Sequence, residues 1–498
     1  MYSSITAAVL ENSRRFPEKI AVADKDRQYT YKELKRAACR MACWLETAGV
    51  EPGDSVLAEC TQDADYLVLD LACGFAGAVF VPLEKKATEE RVSRVYAATG
   101  ARCIIGRTDY SRVGKFYDLS AVLEESLAFA DDGAEYCEGT EGQAPGERRA
   151  AEILFTTGTT GQPKGIVISD RANVAIAENI SAGVRMTPDT VELVPLPLSH
   201  SHGLRTCYAN LFSGATVVLA DGVMNVGLFF RLMDTYGVNA LDLSPTIAQL
   251  LLKIARKGLE QHAGGIEYME IGTAFLEDST KQQLKALLPN ARLYNFYGST
   301  EAGRSCVLDF NAFDDTGCIG YPSKNASFLI VDERRQEMVS SKKNPGLIAV
   351  SGSMMMNGYF GSEELTRETL VNGVLYTSDL GYIDQEGRVY VLGRKDDVIN
   401  YKGIKIAPEE IEETAAKYAG VADCCCVPMA DPVCGQVPKL FLSADAPEKF
   451  DKKDFLDYLR RNLEPGRVPA EVEIIDKIPR SANGKLQRKR LRENEKKS

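Results

Sequence analysis

The strongest candidate for chemistry in this sequence is a short segment, residues 156–164, which reads Thr-Thr-Gly-Thr-Thr-Gly-Gln-Pro-Lys. Apolar runs at 153–155 and 166–168 flank it and predict two buried strands. Glycines let a backbone approach a ligand closely, and threonine hydroxyls, free N–H groups and an ammonium are suitable partners for a polyphosphate. A Gly-rich surface hairpin is the alternative, but the density of hydroxyls and the lysine favour a phosphate-binding loop.

The loop departs from the Walker pattern, GxxxxGK followed by Ser or Thr. Pro163 stands where the second glycine belongs, and Gly165 follows the lysine. The loop resembles instead the Thr/Ser/Gly-rich loop of the adenylate-forming enzymes, which include acyl-CoA synthetases, the adenylation domains of peptide synthetases and luciferases. The resemblance implies that ATP is a substrate. It assigns phosphate contacts to Thr156, Thr157, Gly158, Thr159, Thr160, Gly161 and Lys164.

A second group of polar residues ends a predicted strand, in the segment Asn-Phe-Tyr-Gly-Ser-Thr-Glu at 295–301. An aromatic ring, two hydroxyls and a carboxylate in one turn could seat a flat base and hold Mg²⁺. The segment resembles the family's second nucleotide motif, in which Tyr297 would stack on adenine, Thr300 would touch the α-phosphate and Glu301 would ligate magnesium. The resemblance also assigns ATP contacts to Gly272, Ala274, Asn295 and Gly298.

Two further matches concern the ribose and a hinge. The segment Tyr-Thr-Ser-Asp-Leu-Gly at 376–381 resembles the family's ribose motif, so Asp379 would accept hydrogen bonds from ribose hydroxyls. A turn cap is the alternative role for an Asp in this setting. Arg394 matches a family arginine that also contacts the ribose, and Asp396 matches the hinge about which a small domain rotates.

The last two matches each contribute a lysine. Lys485 matches the family's catalytic lysine, whose ammonium would neutralise the charge that develops as a carboxylate attacks the α-phosphate. The segment Tyr-Lys-Gly-Ile-Lys-Ile at 401–406 matches the one that replaces it in the thioester step, which assigns a catalytic role to Lys402 and places Gly403 at the wall of the pantetheine tunnel. A charged surface loop is the alternative for either segment, but five motifs occur together in the family's order.

The acid would bind beside the segment at 195–204, Pro-Leu-Pro-Leu-Ser-His-Ser-His-Gly-Leu, which includes Gly203. His200 matches a histidine that many acyl-CoA synthetases carry next to the carboxylate. Ser201 stands where amino-acid-activating enzymes place an Asp for the α-ammonium, so α-amino acids are disfavoured. His202 would contact a polar substituent of the acid or pack as a structural histidine. Phe296 stands where members with long pockets often have Gly, which favours a small or aryl acid.

The resemblance implies a two-step reaction. A carboxylate attacks ATP to give an acyl-adenylate and pyrophosphate, and a thiol then attacks the adenylate. The leading interpretation is an acid–CoA ligase that uses ATP, Mg²⁺ and CoA. One alternative is a free-standing adenylation enzyme that loads the phosphopantetheine of a separate acyl carrier protein. The other is an ATP-binding protein without catalysis, which the presence of Lys164, Glu301 and Lys485 disfavours.

Composition limits the remaining possibilities. The 498 residues are too many for one core and predict at least two domains. A net charge of −11 argues against a nucleic-acid partner. Thirteen cysteines without CxxC pairs, and an N-terminus without a signal peptide, predict free thiols in the cytoplasm. The apolar run at 5–10 is too short to predict a membrane span.

The elements that must position these residues alternate between helical and strand patterns to about residue 310, which predicts parallel sheets covered by helices. Residues 317–393 are β-rich, and a glycine followed by four charges at 393–397 indicates a boundary. We therefore expect an α/β fold with a large domain over 1–393, a small mobile α+β domain over 394–498 and a hinge near 394–397. Helices are predicted near 226–236, 245–257, 278–288, 408–418 and 451–463.

Overall fold

The computed structural model describes residues 2–129, 149–157, 163–313, 315–402, 404–480 and 486–495. Within these ranges the α-helices are α1 (Ile5–Arg15), α2 (Tyr31–Thr47), α3 (Ala64–Phe75), α4 (Glu89–Thr99), α5 (Leu119–Ser126), α6 (Asp170–Val184), α7 (Ser201–Ser213), α8 (Val226–Tyr236), α9 (Pro245–Ile254), α10 (Arg256–His262), α11 (Asp278–Leu287), α12 (Glu363–Thr369), α13 (Pro408–Ala416), α14 (Lys452–Asn462) and α15 (Arg488–Glu495).

The described strands follow the same numbering along the chain. They are β1 (Ile20–Ala23), β2 (Gln28–Thr30), β3 (Ser55–Glu59), β4 (Val79–Leu83), β5 (Cys103–Gly106), β6 (Phe116–Asp118), β7 (Ala150–Thr157), β8 (Pro163–Ser169), β9 (Val191–Val194), β10 (Thr216–Leu219), β11 (Ala240–Leu243), β12 (Tyr268–Gly272), β13 (Arg292–Ser299), β14 (Gly303–Asp309), β15 (Cys318–Pro322), β16 (Ala326–Val331), β17 (Gly346–Gly352), β18 (Gly358–Tyr359), β19 (Leu370–Val371), β20 (Val374–Ile383), β21 (Val389–Arg394), β22 (Ile399–Tyr401), β23 (Ile404–Ile406), β24 (Val421–Asp431), β25 (Gly435–Ala444) and β26 (Glu471–Ile474).

The largest sheet contains 14 of the described strands and is called the long sheet here. Its order is β16-β17-β20-β21-β15-β14-β13-β12-β11-β9-β10-β1-β2, with β19 beside β20. The pairs from β1 through β10, β9, β11 and β12 to β13 are parallel, whereas β14, β15, β21, β20, β17 and β16 join antiparallel. The expected parallel sheet is therefore confirmed for its first half, and the β-rich segment extends the same sheet.

A second sheet of seven strands, β18-β8-β7-β4-β3-β5-β6, carries the predicted phosphate loop. Its parallel strands bring the ends of β4 and β7 together, and β7 turns back into β8 as an antiparallel hairpin. The chain enters α6 directly after β8 because the Ser169 hydroxyl accepts the N–H of Ala172 and so caps the helix. Strand β8 thus lies between its hairpin partner β7 and a capped helix.

The third sheet consists of β23-β22-β25-β24, with β26 parallel to β25, and is packed by α13 and α14. Its core includes Ile411, Cys426, Leu440 and Phe455, each fully buried. The predicted helices near 408–418 and 451–463 are present, but sequence reasoning missed β25, which is the central strand. This α+β unit and the α/β architecture of the rest confirm the expected fold class.

Two predictions need correction, one for a helix and one for a cysteine. The helix expected over 245–257 is divided at Ala255, whose φ of −133° is not helical, and α10 starts anew at Arg256. Within α10, Gly258 packs closely against Phe230, because a Cβ there would lie 2.3 Å from the ring. Of the described cysteines, eleven are free thiols, whereas Cys39 is disulfide-bonded, so the expectation of free thiols was wrong at that position. No helix of the described ranges is both long and apolar enough to span a bilayer.

Candidate active site

The base of the predicted phosphate loop is the β7–β8 hairpin. Thr156 lies directly opposite Lys164 in the ladder, and Phe155 lies opposite Gly165. A Cβ on Gly165 would come within 3.0–3.1 Å of Ile153 and Phe155, so the missing side chain allows the two strands to pack. The structure therefore places Thr156 and Lys164 side by side at the mouth of the hairpin. The intervening loop residues of the sequence prediction, Gly158, Thr159, Thr160 and Gly161, lie outside the described residues, and only the backbone of Thr157 is described.

Tyr359 connects this hairpin to the second predicted motif. It lies on β18, which pairs with β8, and the Lys164 ammonium is 5.5 Å from the centre of its ring. Its hydroxyl donates a 3.1 Å hydrogen bond to Oε1 of Glu301. Burial raises the pKa of Tyr359, and the Glu301 carboxylate raises it further, so the phenol remains a donor. Sequence reasoning missed Tyr359, because no spacing rule connects residue 359 to either motif.

Tyr297, Asp379 and Arg394 come together from three strands of the long sheet. The Tyr297 hydroxyl donates a 2.5 Å hydrogen bond to Oδ2 of Asp379. Arg394 is opposite Asp379 in the β20–β21 ladder, and its Nε lies 3.4 Å from Oδ1. Burial raises the pKa of Tyr297, and Asp379 adds to the effect, whereas the Arg394 charge lowers it. The three residues assigned to adenine and ribose thus form one bonded group.

The turn after β13 depends on close backbone approach. A Cβ on Gly298 would lie 2.2 Å from the carbonyl oxygen of Gly303, and one on Gly272 would lie 2.2 Å from the ring of Phe296. The Asn295 amide donates to the carbonyl of Ile271, which ties β13 to β12. Neither glycine position has room for a side chain. The half-buried residues Thr300, Glu301 and Ala274 follow the ends of these strands.

The predicted acid-pocket segment forms the start of α7. His200 is the N-cap residue and Ser201 is the first helical residue, and both are half-buried. Gly203 is required in the first turn, because a Cβ there would lie within 2.8–2.9 Å of the carbonyl oxygens of Leu196 and Pro197. This glycine, directly after His202, therefore lets α7 begin tightly against the end of the preceding loop.

His202 is hydrogen-bonded through both ring nitrogens. Nε2 lies 2.8 Å from Oδ1 of Asp242, and Nδ1 lies 2.5 Å from Oγ1 of Thr273. Thr273 has a φ of +83°, an uncommon conformation for a β-branched residue. A polar substituent on an acid could reach a His202 nitrogen only by displacing one of these partners. Phe296 packs edge-on against the His202 ring, with centroids 4.8 Å apart.

Below this histidine, Arg304 forms a buried charge cluster with Asp242 and Glu270. Its guanidinium donates 2.6 Å hydrogen bonds to Oδ2 of Asp242 and to the Thr206 hydroxyl, forms an ion pair with Glu270, and lies 4.0 Å from the centre of the Phe296 ring. Burial opposes ionisation of Asp242, but Arg304 and His202 outweigh it and lower the pKa of that carboxyl. Sequence reasoning assigned no role to Arg304, Asp242 or Glu270. Asp242 and Arg304 contact the predicted pocket residues His202 and Phe296, and Glu270 pairs with Arg304.

The predicted hinge is bound to the last helix. Arg492 donates to the carbonyl oxygen of Asp396 and to Oδ1 of Asp397, the latter at 2.8 Å. Arg488 lies 3.9 Å from the Asp397 carboxylate and is fixed by Glu409 and Glu412. Asp396 therefore lies where α15 contacts the chain just after β21, the strand of the long sheet that ends at Arg394. Gly403 and Lys485 lie outside the described residues, and Lys402, with φ of +49°, donates its N–H to the carbonyl of Cys434.

These groups are suited to a nucleotide with a divalent cation. Tyr297, Asp379 and Arg394 offer an aromatic ring, a carboxylate and a guanidinium. Tyr359 contacts the Lys164 ammonium through its ring and the Glu301 carboxylate through its hydroxyl. Mg²⁺ is commonly held in proteins by one or two carboxylates together with substrate phosphates and water. A single half-buried carboxylate such as that of Glu301 fits this pattern.

Comparison with known proteins supports the same interpretation. The AMP-binding enzyme family matches residues 9–360, and the AMP-binding enzyme C-terminal domain matches residues 410–485. The chain is 28% identical to 4-coumarate–CoA ligase 5 of Oryza sativa subsp. japonica over 91% of this chain and 87% of that protein. It is 27% identical to 2-succinylbenzoate–CoA ligase of Bacillus cereus over 96% of both.

Solved structures share the fold over nearly the whole chain. ATP-bound MatB from Rhodopseudomonas palustris superposes with a TM-score of 0.88 at 24% identity, covering 100% of this chain and 99% of that chain. The o-succinylbenzoate CoA synthetase of Bacillus subtilis, in complex with its acyl-adenylate intermediate, gives a TM-score of 0.83 at 24% identity and covers 97% of each chain.

Replacing Arg304 with Met should lower the free energy of unfolding by about 3–5 kcal/mol, because Asp242 and Glu270 would stay buried without their counter-charge. Urea denaturation followed by circular dichroism measures this change. The control is Arg292→Met on the neighbouring strand, where a partly exposed pair with Glu267 at 3.7 Å should be worth less than about 1 kcal/mol. Equal losses in the two variants would contradict a special role for Arg304.

Proposed function

Because the chain belongs to the AMP-binding enzyme family, we propose that it is an ATP-dependent carboxylic acid–CoA ligase that acts through an acyl-adenylate. The observation that carries the proposal is the arrangement of two bonded groups beside the β7–β8 hairpin. Tyr297, Asp379 and Arg394 form one group, and Lys164, Tyr359 and Glu301 form the other. The positive charge of Arg394, in the first group, also lowers the pKa of Tyr359, in the second, although burial has the larger, opposite effect.

In the first step, a carboxylate oxygen of the acid attacks the α-phosphorus of ATP, and the bond to pyrophosphate breaks. Tyr297 stacks on the adenine, while Asp379 and Arg394 bind the ribose. Lys164 and the hydroxyls of its loop bind the phosphates, Thr300 touches the α-phosphate, and Lys485 neutralises the charge that develops there. Glu301 would hold Mg²⁺, which supplies positive charge to the phosphate oxygens when bound.

In the second step, a thiolate attacks the acyl carbonyl, the carbon–oxygen bond to AMP breaks, and AMP leaves as the thioester forms. We assign this step to a different orientation of a small domain over 394–498, which turns about Asp396 and brings Lys402 and Gly403 toward the adenylate. The separate five-stranded sheet and the separate family match over 410–485 support this division from a large domain over 1–393.

The acid is best explained as small or aryl. Phe296 is held on one face by Arg304 and at its edge by His202, and Gly272 leaves no space behind the ring. A ring fixed on several sides cannot easily move aside for a long chain. Relatives named for 4-coumarate and 2-succinylbenzoate agree with an aryl acid. Ser201 offers no charge for an α-ammonium, which argues against amino acids.

CoA is the proposed thiol because the relatives compared above, 4-coumarate–CoA ligase and 2-succinylbenzoate–CoA ligase, are named as CoA ligases. The alternative is loading of a separate acyl carrier protein. It differs only in the thiol acceptor, which is then the phosphopantetheine of that protein instead of CoA. Both interpretations place the reaction in the cytoplasm, where ATP and CoA are available. The non-catalytic alternative loses support because Glu301 and Lys164 occupy bonded positions beside Tyr359.

Replacing Lys485 with Ala should lower the rate of pyrophosphate formation from acid and ATP by about 100-fold or more, because the developing negative charge loses its counter-charge. ATP binding, measured by isothermal titration calorimetry, should change little. The matched control is Lys449→Ala, which removes a lysine of the small domain far along the chain from the motif. Full activity in the Lys485 variant would show that this lysine is not catalytic.

Replacing Phe296 with Ala should lengthen the acid pocket and raise kcat/KM for medium-chain acids relative to an aryl acid by about tenfold, since a few buried methylenes are worth 1–3 kcal/mol. A panel of aryl, short-chain, fatty and amino acids with ATP and CoA, followed by mass spectrometry of acyl-CoA, measures the change. Phe313→Ala, which removes a ring that packs on Arg388, serves as control. An unchanged acid profile would contradict the assigned position of Phe296.

A further inference from the structure

Helix α11 starts without a cap from its own domain. Its N-cap residue, Glu277, makes no side-chain capping bond. The carboxylate of Asp278, the first helical residue, is bound elsewhere, to the Lys281 ammonium at 2.9 Å and the Thr316 hydroxyl at 2.5 Å. The first N–H groups of a helix have no acceptor within the helix. The Asp278 N–H therefore needs a partner from outside α11.

Glu413, on α13 of the small domain, supplies that partner. Its Oε1 accepts the Asp278 N–H at 2.9 Å, and only 9% of Glu413 is exposed. The other faces of α13 pack against or bond to residues of the small domain. Ile411 and Ala415 are fully buried in its core, and Glu412 binds Arg488 and the N–H of Cys426. Glu413 is the side chain of α13 that joins the N-terminus of a large-domain helix.

A second contact between the same helix and the large domain is weaker. Glu410 lies 3.9 Å from the Lys342 ammonium, and the lysine side chain is two-thirds exposed. An ion pair at that distance and exposure contributes little. Glu410 is in addition bound by Arg467 within the small domain. The Glu413 contact is thus the stronger of the two.

The charges that face Glu413 come from both helices. Asp278 and Lys281 lie on α11, and Lys417 lies just after α13. Burial raises the pKa of Glu413 to about 7, and the Asp278 charge adds to this, whereas the Asp278 N–H, Lys417 and Lys281 lower it. A carboxyl in this position takes up a proton near neutral pH and can still accept the N–H through its carbonyl oxygen.

We propose that Glu413 is a positioning residue that docks the small domain on the N-terminus of α11, and that it docks more firmly when it is protonated. The contact belongs to one orientation of the small domain, so whatever strengthens it favours the reaction step that uses that orientation. Only this last consequence rests on the proposed function. The docking itself is a property of the fold.

The direction of the pH effect follows from linkage. Undocking returns Glu413 to water, where its ordinary pKa is 4.5, against about 7 when docked. The docked form therefore binds the proton more tightly, and docking strengthens as the pH falls below about 8. Between pH 8 and pH 6 the docking constant should rise by about tenfold, and below the ordinary pKa it should change no further.

Hydrogen exchange at the Asp278 amide tests the proposal without any catalysis. This N–H has no acceptor within α11, so its protection depends on Glu413. We would measure exchange by mass spectrometry with fragmentation to single residues, divided by the rate for an unprotected amide at the same pH. In the intact wild-type chain, protection should be about tenfold higher at pH 6 than at pH 8. Glu413→Gln, which is neutral at both, should show high protection at both.

Two further variants complete the design. Glu413→Ala should lose protection at Asp278 at both pH values. Glu277→Gln removes a carboxylate from the same end of α11 that accepts no hydrogen bond from the small domain, and it should behave as the wild type. The proposal is overturned if Glu413→Gln keeps the wild-type pH dependence, or if wild-type protection does not change between pH 8 and pH 6. These two arms decide the question even if the Ala variant fails to fold.

The catalytic consequence has its own measurement. Rates of pyrophosphate release and of acyl transfer to CoA should change by different factors in Glu413→Gln, because docking favours only one of the two steps. A merely structural role would lower both equally and would count against the proposal. If neither step can be detected in any variant, the proposed function fails, while the exchange experiment still decides whether Glu413 docks the small domain.

Discussion

The buried cluster beside His202 and Phe296 depends on one cation. Arg304 is surrounded by Asp242, Glu270 and the ring of Phe296, at a depth where an unpaired carboxylate could not be tolerated. With Arg304 present, Asp242 stays ionised and holds His202 by its Nε2, and His202 in turn holds Thr273. The polar groups around the Phe296 ring are therefore bonded to one another.

The nucleotide side is built differently, from strand ends of two sheets. The long sheet brings Tyr297, Asp379 and Arg394 together, and the seven-stranded sheet brings Thr156 beside Lys164. Tyr359 joins them, because β18 adds to the edge of β8 while its hydroxyl reaches Glu301. The strands of the two sheets fix the separation between Tyr297 and Lys164.

Sequence reasoning predicted the residues whose roles are local. The loop at 156–164, the turn at 295–301 and helix α8 could be recognised because a few neighbouring residues define each of them. It missed Asp242, Glu270 and Arg304. Their roles depend on contacts between residues that are 34 to 62 positions apart in the sequence. It also missed Tyr359 and the strand β25. A single tyrosine or glutamate carries no periodicity, so only the folded sheet shows what it touches.

The predicted hinge is bonded to the unit that contains α13, so a contact made by Glu413 affects the hinge as well. Arg488 and Arg492 on α15 hold Asp396 and Asp397, so the chain just after β21 is bound to the same body as α13. On the proposed domain division, rotation must then occur before Asp397, and everything beyond it moves together. On the same division, Lys402 cannot change position without drawing Glu413 away from α11. A contact that holds Glu413 therefore acts on every group that the small domain carries.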